Sequence, residues 1–131
     1  MALDTNILLA NALLDRFDTE FPAGSILEIR TGASPGAENA ATGTLLSTIT
    51  TPASPWAAAA AGSKAKNGTW QDASAPGAGT AAHYRLKNAA DTRRIDGTVT
   101  ATSGGGDLEL DNVVIAVAQV VTITGFTYSL V

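Results

Sequence analysis

Residues 80–111 read TAAHYRLKNAADTRRIDGTVTATSGGGDLELD, and this stretch decides the fold. From Thr80 to Lys87 the residues alternate, with Ala82, Tyr84 and Leu86 assigned inward and His83, Arg85 and Lys87 outward. From Arg94 to Thr102 they alternate again, setting Ile95, Gly97, Val99 and Ala101 against Asp96, Thr98, Thr100 and Thr102. Successive side chains of a strand point to opposite faces, so period two marks half-buried strands. Gly104 to Gly106 is a turn, and Asp107, Glu109 and Asp111 then face away from Leu108 and Leu110.

The same period extends outward from this stretch. Leu27 and Ile29 alternate with Glu28 and Arg30; Gly32 to Gly43 is a loop; Thr44 to Thr51 is a strand that Pro52 ends. Pro52 to Gly62 reads as a loop with at most one helical turn, because five alanines are too few for a helix of their own. Trp56 anchors it, either tucked under its own loop or presented as an interface anchor. Asn67 and Gly68 mark a turn before a short strand to Asp72. In the last run, Val117 to Val131, a bulge at Gly125 would bring Val121, Ile123, Phe126, Tyr128 and Leu130 to one side.

Only the N-terminus has a helical period. Leu9, Ala10, Leu13, Leu14 and Phe17 form a stripe in a helix over about residues 5–18, with Asn11, Asp15 and Asp18 opposite. Asp4 or Thr5 is the expected cap, and Pro22 and Gly24 the stop. Leu8 points off the stripe, which favours contact with a neighbouring subunit. Residues 1–131 are thus expected to form a single domain that is mainly β. The expected architecture is an antiparallel β-sandwich or jelly-roll-like barrel of about seven or eight short strands with one N-terminal α-helix. No repeat of fixed period is present.

Composition narrows the chemistry. The 131 residues contain no cysteine and one histidine, His83. Thiol nucleophiles, thiolate metal sites and sites needing two imidazoles are excluded. Twelve acidic against eight basic residues give a net charge of −4, which argues against a nucleic-acid partner. Charged residues are only 15%, replaced by 25 Ala, 17 Thr and 13 Gly. No basic start or long apolar run marks a signal peptide or membrane span, so no membrane partner is expected.

The remaining candidates for chemistry are weak. His83 lies on a face assigned to solvent, and no serine sits in a G-x-S-x-G elbow. Asp107, Glu109 and Asp111 are nearly 7 Å apart in turn and cannot converge on one calcium ion along a strand. The three glycines at 104–106 lack the lysine of a phosphate loop, and Asn67, Gly68 and Thr69 match a glycosylation sequon without a secretory signal. Arg93 and Arg94, beside Lys87 and Arg85, form a modest basic patch suited to an acidic protein surface. The expectation is no enzyme, no cofactor and no metal, with Leu8, Trp56, Arg93 and Arg94 as interface candidates.

Several segments together, GTLL at 43–46, AGTAAHYR at 78–85, GTVTATSG at 97–104 and DLEL at 107–110, carry a resemblance. The chain resembles small structural proteins of tailed bacteriophages through nearly its whole length. The resemblance implies a virion component, foremost a capsid decoration or cement protein on the outer head surface. Its partners would be the major capsid protein and copies of itself, as homotrimer or homodimer, assembled in the host bacterial cytoplasm. Tail, baseplate or head–tail connector parts are the alternative. A carbohydrate-binding attachment module is a third reading, requiring exposed aromatics among Trp56, Trp70 and Tyr84.

Overall fold

The computed structural model describes residues 5–130. Two short helices lead, α1 (Ile7–Leu14) and α2 (Phe17–Glu20). Among the described residues ten strands follow: β1 (Ile26–Arg30), β2 (Leu45–Thr50), β3 (Ser63–Ala65), β4 (Gln71–Asp72), β5 (Gly79–Thr80), β6 (His83–Lys87), β7 (Arg94–Ala101), β8 (Leu108–Leu110), β9 (Val114–Ile115) and β10 (Val121–Ser129). The protein is mainly β, as its alternating runs predict. Eight strands make one curled sheet in the order β2-β1-β6-β7-β8-β10-β3, with β4 added beside β10; β5 and β9 form a separate pair. The sheet is mixed rather than purely antiparallel, because β7 and β8 run parallel. The turn after β7 crosses back instead of forming a hairpin. Asp72 laces the curl: Ser47 Oγ and the Thr48 N–H, both on β2, donate to its Oδ2 at 2.8 and 3.2 Å.

Leu27, Ile29, Leu46, Ile49, Leu86, Leu108, Leu110, Val121 and Ile123 fill the concave side. Aromatic rings knit them together: Trp56 meets Trp70 at 5.2 Å and Phe126 at 5.5 Å, and Tyr84 meets Phe126 at 5.1 Å. Edge-to-face contacts of this kind add about 0.5–1.5 kcal/mol each beyond their buried area. Tyr84 pairs across the sheet with Gly97. A Cβ at that glycine would stand 2.7 Å from the Tyr84 hydroxyl, so only glycine lets the phenol lie over its neighbour. The register of β10 shifts between Ile123 and Gly125, and this bulge turns Phe126 into the core.

The convex side corrects the assignment of polar residues to solvent. His83 is only 2% exposed, and Glu28 and Arg85 are buried. The glycine-rich segment 32–43 folds over this face. His83 Nδ1 lies 2.7 Å from the Gly32 carbonyl. Arg85 donates to Asp96 from Nε at 2.7 Å and from Nη2 at 3.0 Å, and Nη2 also reaches the Gly36 carbonyl at 3.0 Å. Ser34 Oγ donates to the same aspartate at 2.8 Å. Burial pushes the Asp96 carboxyl upward, but the bonds from Arg85 and Ser34 outweigh it and hold the group below the usual range.

Candidate interaction surface

The N-terminal helix is capped by Asn6, whose Oδ1 accepts the Leu9 N–H at 2.9 Å. Thr5 is not the cap, and Asp4 lies outside the described residues. The helix is shorter than the expected span over residues 5–18, breaking at Asp15 and Arg16 before α2 resumes. Its orientation is rotated from the expected one: Ala10 and Leu14 of the expected stripe are buried and Phe17 packs against the core, but Leu9 and Leu13 are exposed. Asn11, Asp15 and Asp18, at i, i+4 and i+7, share one face, and that face docks on the body. The Gly62 N–H donates to Asn11 Oδ1 at 2.9 Å and the Ala59 N–H to Asp15 Oδ1 at 2.8 Å. Lys64 on β3 is fully buried, and its Nζ donates to Asp15 at 2.7 Å and Asp18 at 3.3 Å. The Lys64 bond, with the Ala59 N–H, holds the Asp15 carboxyl below the usual range.

Ala10 and Leu14 are buried alongside these polar anchors. At 100° per residue Leu8, Leu9, Ala12, Leu13 and Arg16 then fall on the opposite face. Leu8 is 79% exposed, and Ile7, Leu9 and Leu13 are each about half exposed. Isolated surface leucines need no explanation, but a contiguous apolar patch on a small domain marks an interaction site.

This face runs into an open groove of about 290 Å³ lined by Leu13, Phe17, Ile95 and Tyr128. Phe17 meets Tyr128 at 5.2 Å across its floor. Its rim carries Glu20 between two arginines: Arg93 Nε donates to it at 2.7 Å and Arg16 Nε at 3.3 Å. Two cations share one carboxylate, so the rim is net positive on an acidic protein. Both guanidinium groups stay largely in water, which makes these pairs weak in themselves.

The four interface candidates therefore separate. Leu8 and Arg93 lie on this surface. Arg94 lines the groove but is turned away, donating from Nε to Asp91 at 2.7 Å and from Nη1 to the Ala37 carbonyl at 3.3 Å. Trp56 belongs to the core: it is buried, its Nε1–H donates to the Phe21 carbonyl at 2.9 Å, and it cannot anchor a partner. Arg85 leaves the expected basic patch for its buried pair with Asp96. Leu9, Leu13, Arg16 and Tyr128 are surface residues that the period alone did not mark. The signal was present in the spacing of Asn11, Asp15 and Asp18, once Lys64 is known to face them.

The other candidates for chemistry are dispersed. Trp56, Trp70 and Tyr84 are all buried, which removes the aromatic platform a sugar-binding surface would use. Asp107 accepts from the Thr98 N–H, Glu109 from the Gly105 N–H and Asp111 from the Thr122 N–H, so each is spent on a different stretch of backbone. Among the described residues no three acidic or histidine side chains are grouped to hold a metal ion. No family model, curated protein or solved structure matches this chain.

Proposed function

We propose that this protein is a non-enzymatic structural component of a tailed-phage virion, a decoration or cement protein on the outer head surface. The observation that carries the assembly part of this reading is the helix that docks through Ala10, Leu14 and its polar anchors and turns Leu8, Leu9 and Leu13 to solvent. Such an arrangement has no advantage for an isolated domain and suits one that packs against a neighbour. The laced sheet below it supplies a rigid platform. The likeness of segments 43–46, 78–85, 97–104 and 107–110 to small phage structural proteins supplies the virion setting.

Bridging neighbouring major-capsid subunits would stabilise the shell by mass action, because the protein binds the assembled lattice better than its separated parts. The test is quantitative mass spectrometry on purified particles with heads and tails separated. Hundreds of copies in the head fraction are expected. A few dozen copies confined to tails would move the protein to the tail, baseplate or connector. Absence from both would overturn the virion reading. Heads lacking the protein are expected to rupture at a lower temperature, and an unchanged temperature would count against cementing.

A further inference from the structure

A second apolar surface lies at the other end of the molecule. Residues 111–122, which include β9 and the start of β10, close on themselves where the Asp111 N–H donates to the Thr122 carbonyl at 3.2 Å. Val114, Val117 and Val120 stand out from it, with Val117 63% exposed, and Ala116 and Ala118 are exposed between them. Gln119 Oε1 and the Asn112 side chain bond the loop's own backbone, at 2.9 and 3.0 Å, so the valines are held outward by a preformed turn.

The two surfaces cannot cover each other within one chain. The loop leads directly into β10 at Val121, whereas the helix and groove sit at its far end, beside Tyr128 and the β3 residues paired with Thr127 and Ser129. At roughly 3.3 Å per residue the strand separates them by about 26 Å. Their charges are complementary. After β7's Gly97 the chain carries Asp107, Glu109 and Asp111, all just before the loop, and no lysine or arginine. Asp111, exposed beside the valines, uses Oδ1 for the Asn112 and Thr122 N–H groups. The groove end carries Arg16 and Arg93 with only Glu20 between them.

We propose that the outer face of α1 and its groove receive the Val114–Val120 loop of a second copy of this chain, with Arg16 and Arg93 facing that copy's Asp111. The inference rests on reading the helix face as an assembly surface and names its occupant. The contact is head-to-tail. It therefore leaves one free loop and one free groove on every open assembly, and it closes only as a ring.

Sedimentation velocity of the full chain, from about 1 μM to about 1 mM, reads this contact directly. The wild type is expected to exceed the monomer mass as concentration rises. Leu13→Asp and Val117→Asp should each be monomeric with an unchanged melting temperature, since both side chains are exposed. An equimolar mixture of the two should form a heterodimer and stop there, because each variant retains the one surface the other lacks. Asp111→Asn keeps the loop's Oδ1 bonds and removes only charge, and should raise the dissociation constant about tenfold. A wild type that stays monomeric, a Val117→Asp variant that assembles normally, or a mixture that fails to pair would each overturn the proposal. These readings are made without phage heads. A monomeric wild type would sink the self-contact and leave head binding open, whereas absence from particles would sink the virion reading and leave the measured masses standing.

Discussion

Strand β6 and helix α1 each place two residues against the pattern their sequences predict, and the two reversals have different causes. On β6, His83 and Arg85 are expected in water and are buried. On α1, Leu9 and Leu13 are expected in the core and are exposed. The first reversal is resolved inside the chain: the 32–43 segment brings the Gly32 and Gly36 carbonyls and Ser34 onto the strand, and Asp96 supplies the counter-charge. The second is half resolved. Lys64 explains why Asp15 and Asp18 turn toward the body, but nothing in the described chain covers the outer sides of Leu8, Leu9 and Leu13. Buried polar groups must find partners within the fold; exposed apolar groups can find theirs in another molecule.

That contrast can be broken first at Arg85. Arg85→Ala would leave Asp96 buried beneath the 32–43 segment without its cation. Removing one partner of a buried pair costs about 3–5 kcal/mol. The expected outcome in urea denaturation is a loss of that size, with accelerated proteolysis of the segment. A loss below about 1 kcal/mol would mean that water reaches Asp96 and that the segment is a loose flap.

The helix side gives a smaller effect. Lys64→Ala removes a buried stem and its bonds to Asp15 and Asp18, but both carboxylates can return to water. The expected cost is about 2 kcal/mol, with α1 becoming protease-sensitive while the sheet keeps its near-ultraviolet circular dichroism. Acid should act on the same clamp. The folded-state pKa of Asp15 lies below its unfolded value, so its contribution is present above the unfolded pKa, near 3.9. It is lost as pH falls through the folded pKa. The protection of the α1 amides, relative to their intrinsic exchange at each pH, is therefore expected to fall as pH drops below about 5. An Asp15→Asn variant should show a weaker dependence, and identical acid profiles for the two would exclude Asp15 as the titrating group.

Much of the fold is legible in the sequence because strand alternation is a local property. The runs at 26–30, 45–50, 83–87 and 94–101 and the bulge at Gly125 follow from period two and glycine placement. The parallel β7–β8 pairing is not legible, since alternation carries no strand direction. The burial of His83 and Arg85 depends on where a 12-residue loop folds, a non-local fact. The surface is harder to read still. A hydrophobic stripe is normally turned inward, and only the meeting of Asp15 and Asp18 with a lysine about fifty residues later rotates the helix so that Leu9 and Leu13 leave the core. Trp56 illustrates the converse: its flanking prolines and alanines suit a surface loop equally well, and the contacts with Phe17, Trp70 and Phe126 that bury it come from three distant elements.

The smallest expected change in stability is the most informative about function. Among the described residues Leu8 is the most exposed of the large apolar side chains, and it lies on the outer helix face beyond the groove. Leu8→Ser removes apolar surface that the isolated chain leaves in water, so the folding free energy should shift by no more than about 0.5 kcal/mol. Serine has a somewhat lower helix propensity than leucine, which accounts for a small loss on its own. If the outer face is an assembly surface, the same substitution weakens binding to purified heads or to a second copy well beyond that margin. The two free energies, one from denaturation and one from binding, are therefore expected to diverge at Leu8 and at Leu9. At Leu14, further along the helix and buried, a serine should instead reduce both together. Equal and small effects on binding and folding at Leu8 would return these leucines to ordinary surface and remove the physical basis for an interface on α1.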